Sequence, residues 1–299
     1  MSQKNKTVII IAGPTAVGKT AIGIAVAKHL QTEIISADSR QCFKELNIGV
    51  ARPSAEELAE VQHHFIASHS IHQKVTAATF EAFALAKATE LFKKHDHVVM
   101  VGGTGLYIKA FTEGMDTIPD VPEVLHAEVV DAYRENGLEW LQHQVKLLDP
   151  LFYEKGEIHN PQRMMRALEI VKATGQSILS FRTGEKKRRD FETVRIALDL
   201  PREQLYQRIN HRVDLMMEHG LQEEVRALLP YQHLNALQTV GYRELFDFFN
   251  GETTLHDAVE AIRLNTRRYA KRQLTWFRKD REYQWFPPDA TTVINALPH

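Results

Sequence analysis

The chain alternates short apolar runs with longer stretches in which apolar residues recur at helical spacing. Thr7–Ala12 (TVIIIA) is a β-branched run that stops at Gly13, the pattern of a strand buried on both faces and feeding a loop. A helix is expected from Thr20 to Leu30, a second strand at Glu33–Ser36, and a long helix over Thr79–Lys94, where Phe80, Phe83, Ala84 and Leu91 recur at helical spacing. His97–Val101 (HVVMV) is a further strand, closed by Gly102 and Gly103. Strands alternating with helices, with glycine at the strand ends, predict an α/β fold on a doubly wound parallel sheet. From Asp116 to about Lys187 only helical patterns occur, separated by Pro119, Pro122, Pro150 and Pro161. Val194–Leu200 (VRIALDL) restores a strand, and amphipathic helices follow to about Phe277. The expected organisation is a core in two pieces, residues 1–115 and 189–299, interrupted by a helical insertion at 116–188.

Composition narrows the class. With 299 residues, 43% hydrophobic and 25% charged, the chain is neither a disordered tail nor a fibrous repeat. A single cysteine, Cys42, excludes an intrachain disulfide and any Cys-pair zinc site, so a reducing, cytoplasmic setting is expected. No apolar run approaches the ~20 residues that span a bilayer, and the opening MSQKNKTVIIIAGP lacks a signal-peptide layout. Nothing in the pattern specifies an interface, so a monomer is expected. The net charge of −1 argues against a nucleic-acid partner until it is divided. Residues 1–160 hold 15 basic and 20 acidic side chains, and residues 161–299 hold 22 and 18. Arg263 to Arg281 alone contains eight basic residues against one acid, Asp280, which suggests a polyanion partner.

Gly13-Pro14-Thr15-Ala16-Val17-Gly18-Lys19-Thr20 fits G-x-x-x-x-G-K-S/T without mismatch, between a predicted strand and a predicted helix. In such a loop the backbone N–H groups and the helix N-terminus cradle phosphate oxygens. Lys19 is placed to bridge those oxygens, and the Thr20 hydroxyl to ligate Mg²⁺. The fold class is thus α/β, a P-loop core with a helical insertion domain. Ligands in such sheets sit beyond the carboxyl ends of the strands. Ser36-Ala37-Asp38-Ser39-Arg40-Gln41 occupies that rim, where Asp38 is either a proton acceptor or the cap of the following turn. Gly102, Gly103 and Gly105 surround Thr104 at the next strand end, so backbone there must approach something closely. A P-loop triphosphatase usually places an acid at such a strand end; glycine here weighs against ATP or GTP hydrolysis.

Six segments occur in order: GPTAVGKT, SADSRQ, VGGTGLYI, RALEI (Arg166–Ile170), TVGYREL (Thr239–Leu245) and KRQLTWFR (Lys271–Arg278). Together they closely resemble the bacterial tRNA dimethylallyltransferase family over nearly the full length. The resemblance implies transfer of a dimethylallyl group from dimethylallyl diphosphate to the exocyclic amine of an adenosine beside the tRNA anticodon. It also implies Mg²⁺ and an insertion that grips the anticodon stem-loop. Carried onto this chain, Asp38 is the general base, Thr104 supports the reaction centre, and Arg212 meets the diphosphate. Thr15–Thr20 hold the diphosphate. Asp38, Ser39, Arg40, Gln41 and Thr104 contact RNA, and Gln162, Arg163, Met164, Met165 and Arg166 form a second contacting segment. His126 stands where the family has a familiar arginine and is carried over as an RNA-contacting position, and Cys42-Phe43, Gly49–Pro53 and His159–Pro161 also depart from the usual pattern.

The chemistry agrees with that resemblance. An aromatic amine is a weak nucleophile, so transfer needs a base at the amine and neutralisation of the departing diphosphate. In Arg263–Arg281, basic residues interleave with Tyr269, Trp276 and Phe277; the segment suits RNA, or is a helix with Trp276 and Phe277 in the core. Lys186–Arg189 reads as a solvated loop. The rival readings are a small-molecule kinase, an RNA-binding protein with an idle phosphate loop, and an enzyme that prenylates free adenine nucleotides.

Overall fold

β1 (Thr7–Ala12) is buried along its whole length, as a β-branched run covered on both faces must be. It lies at the centre of a six-stranded, all-parallel sheet in the computed structural model, which describes residues 6–297. The opening Met1–Asn5, part of the stretch read for a signal peptide, lies outside the described residues. The strand order is β3-β2-β4-β1-β5-β6, with β2 at Ile34–Ser36, β3 at His63–His64, β4 at His97–Gly102, β5 at Glu192–Leu198 and β6 at Gln284–Phe286. β1 pairs with β4 through Ala12↔Gly102 and with β5 through Ala12↔Ala197, so three carboxyl ends finish level.

Two corrections concern the strands. β5 runs Glu192–Leu198 and not Val194–Leu200; Asp199 has left its strand and donates its N–H to the carbonyl of Phe286. The edge strands β3 and β6, two and three residues long, were not expected; neither is long enough to show alternation.

The contacts divide the chain into residues 1–113 with 188–299, and residues 114–187. In the first unit, α1 (Lys19–His29), α2 (Ala55–Glu60), α3 (Ala77–Leu91) and α4 (Gly105–Glu113) follow the early strands. Ser54 and Glu57 close α2 with a reciprocal capping box. The insertion comprises α5 (Glu123–Leu148), α6 (Pro150–Lys155) and α7 (Pro161–Thr174). Its core is Val129, Leu141, Val145, Phe152, Met164, Leu168 and their neighbours. α5 breaks at Gly137, whose φ is +76°, and α7 is set by the Asn160 cap, Pro161 in its first turn and left-handed Gly175 after it. The core unit then adds α8 (Arg202–Glu218), α9 (Leu221–Ala227), α10 (Tyr242–Phe249), α11 (Leu255–Arg278) and α12 (Ala290–Asn295).

Arg189 is no solvated loop residue. Its guanidinium donates to Glu81 at 2.7 Å and to the carbonyls of Phe111 and Ala110 at 2.8 and 2.9 Å. The pair Trp276 and Phe277, read together as core candidates, separates: Phe277 is fully buried and Trp276 is 40% exposed.

Candidate active site

The carboxyl ends of β1, β2 and β4 open onto a cavity of about 310 Å³. Its lining includes Thr15, Lys19, Thr20, Asp38, Gln41 and Arg212. The loop Gly13–Gly18 turns through positive φ at Ala16 and Gly18 and delivers Lys19 to the first turn of α1. Lys19 Nζ donates back to the Pro14 carbonyl at 2.8 Å. Burial lowers the Lys19 pKa to about 8; Asp38 opposes the fall and Arg212 adds to it. α8 brings two arginines to the loop. Arg212 reaches the Thr15 hydroxyl at 3.5 Å, and Arg208, which sequence reasoning missed, donates to the Val17 carbonyl at 3.2 Å. Burial also pulls the Arg212 pKa down from its usual value.

Asp38 caps the following turn and also lines the cavity; its Oδ1 accepts the N–H groups of Arg40 at 2.8 Å and Gln41 at 3.2 Å. Thr104 Oγ1 accepts the Ser39 N–H at 3.1 Å and donates to the Ser39 hydroxyl at 3.3 Å, and Tyr269 lines the cavity. Two neighbours are spent on the protein itself. Arg40 donates to the Asn235 and Ala236 carbonyls at 2.9 and 3.1 Å, and Gln41 Nε2 to those of Val50 and Ala51 at 3.2 and 2.9 Å.

The glycines around Thr104 have an internal explanation. A Cβ on Gly102 would fall 2.2 Å from the Ala37 carbonyl, one on Gly103 2.2 Å from Gln273 Nε2, and one on Gly105 2.1 Å from Trp276 Nε1. The close approach is therefore to α11 and to the Asp38 turn. Gln273, also missed, is buried; it accepts the Thr15 N–H at 2.8 Å and donates to the Gly103 carbonyl at 2.9 Å, stapling two strand-end loops. Its only signal was its place in KRQLTWFR.

In the insertion, Gln162 and Arg163 are exposed, and Arg163 pairs with Glu157. Arg166 donates to Glu169 and to the Pro119 carbonyl, both at 3.2 Å. His126 is exposed, with Nδ1 2.7 Å from the buried Glu169. Met165 is half-buried. Met164 requires a correction: it is fully buried in the insertion core, so its side chain serves packing and not RNA contact.

Among the described residues, no three His, Cys, Asp or Glu side chains gather to hold a metal. Mg²⁺ needs no such cage when phosphate oxygens and water complete its shell. Thr20 and Asp38, oxygen donors on one cavity, suit it. No helix of the described residues is long and apolar enough to cross a membrane.

The profile of the IPP transferase family matches residues 41–280. A tRNA dimethylallyltransferase of Christiangramia forsetii is 52% identical over 281 residues, covering 94% of this chain and 93% of that protein. One from Flavobacterium johnsoniae is 48% identical over 300 residues, covering 98% and 96%. The crystal structure of a tRNA isopentenylpyrophosphate transferase from Bacillus halodurans, 34% identical, superposes with a TM-score of 0.71 over 97% of this chain and 93% of that one. A eukaryotic dimethylallyltransferase, in crystals described as snapshots of the enzyme acting on tRNA, gives a TM-score of 0.77 at 24% identity. That match covers 97% of this chain and 76% of that one, a likeness of fold.

Proposed function

The chain belongs to the IPP transferase family, and we propose that it transfers a dimethylallyl group from dimethylallyl diphosphate to the exocyclic amine of the adenosine beside the tRNA anticodon. The observation that carries this reading is the convergence of Asp38, Lys19 and Arg212 on one cavity. A base for the acceptor and cations for the leaving group share a single volume.

The adenosine must leave its stack to reach such a cavity. Its amine attacks the allylic carbon bonded to oxygen, that C–O bond breaks with the electron pair on diphosphate, and the amine proton passes to the Asp38 carboxylate. The Arg40 and Gln41 N–H groups fix the carboxylate through Oδ1, so its orientation is set before the acceptor arrives. Lys19, Arg212 and the loop amides face the charge that grows on the diphosphate. Thr20 would hold Mg²⁺, which supplies further neutralisation of the leaving group. Thr104, bonded to Ser39, holds the Asp38 turn in place from the β4 end. On the RNA side, the reading assigns contacts to residues 38–41, Thr104, His126 and the exposed members of 162–166. The enzyme is expected to work in the cytoplasm as a monomer.

The test is transfer of labelled dimethylallyl diphosphate, with Mg²⁺, to unmodified tRNA, AMP or ATP. Label is expected in tRNA alone. Label on AMP or ATP would make the chain a nucleotide prenyltransferase, and label nowhere would overturn the reading.

A further inference from the structure

The cavity is lined by polar groups, among them Thr15, Lys19, Thr20, Arg52, Glu57 and Arg212, and by the apolar Val50, Ala51, Pro53 and Ile66. Three of those four apolar residues lie in 47–53, a segment without helix or strand. Side chains from elsewhere hold this segment in place. Glu224 on α9 accepts the backbone N–H groups of Asn47 and Ile48 through Oε2 at 3.2 and 2.8 Å. Its Oε1 accepts the Gly49 N–H at 3.1 Å and the Tyr242 hydroxyl at 2.5 Å. Tyr242 is fully buried, and its ring passes so close that a Cβ on Gly49 would lie 2.5 Å from it. Arg52 donates to the carbonyls of Phe43 at 2.7 Å, Lys44 at 3.0 Å and Leu46. Gln41 ties the same segment to the Asp38 turn.

We propose that Glu224 is a positioning residue which, with Tyr242, fixes this apolar wall and thereby sets both the affinity for the prenyl group and the chain length accepted. The inference rests on the reading that the cavity holds a prenyl diphosphate. Glu224 does not line that cavity and is placed to touch no substrate; it acts through residues 47–53. A carboxylate accepting four donors is a strong anchor. Replacing the carboxylate by an amide leaves one accepting oxygen where there were two and sets an NH₂ against donors on the other side, either the Asn47 and Ile48 N–H groups or the Gly49 N–H and Tyr242 hydroxyl, so the segment is held less firmly. Hydrophobic pockets discriminate by roughly 10- to 200-fold per methylene, so a displaced wall costs affinity for a five-carbon chain and admits a longer one.

The experiment measures steady-state transfer to tRNA from dimethylallyl and geranyl diphosphates, with thermal melting of each variant. Glu224→Gln is expected to raise KM for dimethylallyl diphosphate about 10-fold with kcat within about 3-fold, leaving KM for tRNA unchanged. Its geranyl-to-dimethylallyl preference should rise about 10-fold. Tyr242→Phe removes one donor of four and should move both quantities the same way by about 3-fold; it decides the matter should Glu224→Gln not fold. Unchanged donor KM and preference, or a loss confined to kcat, overturns the proposal. A wild-type enzyme that fails to use dimethylallyl diphosphate defeats the underlying reading instead, and this inference with it.

Discussion

The core unit and the insertion use charge in opposite ways. In the core, polar side chains are drawn inward and fixed by partners far away in sequence: Gln273 on Thr15 and Gly103, Glu224 on residues 47–49, Thr104 on Ser39. In the insertion, most charges stay outside an apolar core, the buried Asp149 and Glu169 being the exceptions, paired with nearby groups and also with Ser177 and His126. Burying polar groups is costly unless each is satisfied, so a fold accepts it where a geometry must be rigid. The core therefore reads as the part that performs chemistry and the insertion as a surface. The insertion's surface is itself divided. Residues 114–160 hold ten acidic and three basic side chains, whereas 161–187 hold two and six. A polyanion should meet α7, the segment after it and His126 at the start of α5, not the acidic remainder of α5.

The sharpest way to break this contrast is at Asp38. Asp38→Ala should lower kcat by roughly 10²- to 10⁴-fold, the usual worth of a positioned base, with tRNA affinity within about 3-fold by filter binding. Asp38→Asn separates its two roles. An asparagine oxygen still caps Arg40 and Gln41 but takes no proton. Activity as low as that of Asp38→Ala assigns the loss to proton transfer; recovery to near wild type would make Asp38 a cap and nothing more.

A second test falls on the insertion core. Met164→Ala should cost about 2–5 kcal/mol of stability, seen as a lower melting temperature. Met164 sits in a segment that motif resemblance assigns to RNA contact, and helical phase explains the disagreement. Gln162 and Arg163 point out while Met164, Ala167 and Leu168 point in, a distinction a string of adjacent letters does not carry.

The same limit recurs across the molecule. β1, β4 and the phosphate loop were legible because each is a local pattern: an apolar run, then a glycine-lysine turn. β3 and β6 were not, since two or three edge residues carry no period. Cys42 directly follows the SADSRQ segment, and it is buried with its Sγ 3.7 Å from the Ser39 carbonyl. Gln273 and Glu224 escaped notice because what makes them matter is a partner 258 or about 176 residues away. The glycines flanking Thr104 announced a close approach, but only packing identified Ala37, Gln273 and Trp276 as what is approached.

Lys19 gives a third, smaller test, in which activity and stability part company. Its pKa of about 8 lies below the 10.5 of a free lysine, chiefly through burial. Between those values the unfolded chain binds more protons than the folded one, so this group makes stability rise with pH across that window. Donor binding moves the other way, because neutral Lys19 no longer attracts diphosphate. kcat/KM for dimethylallyl diphosphate should therefore fall above about pH 8, by roughly tenfold at one pH unit beyond the pKa. Lys19→Arg, less active throughout, should lose that inflection. A parallel fall in melting temperature and activity would point to unfolding instead.

The smallest effects belong to the insertion surface, and there the sign is informative. Arg163 is exposed but already paired with Glu157, so its use on a phosphate requires that pair to open. Exposed pairs are worth about 0.2–1 kcal/mol, and a phosphate contact must exceed this to be felt. Arg163→Ala should weaken tRNA binding about 3-fold and flatten the dependence of log K on log salt by about 0.7–0.9. Glu157→Gln frees the same arginine and removes a like charge from the approach of RNA, so it should tighten binding by up to about 3-fold. Neither change touches a buried contact, and both should leave the melting temperature unaltered. Opposite shifts in affinity at constant stability would establish α7 as the RNA-facing edge of the insertion; shifts of the same sign would move that edge elsewhere.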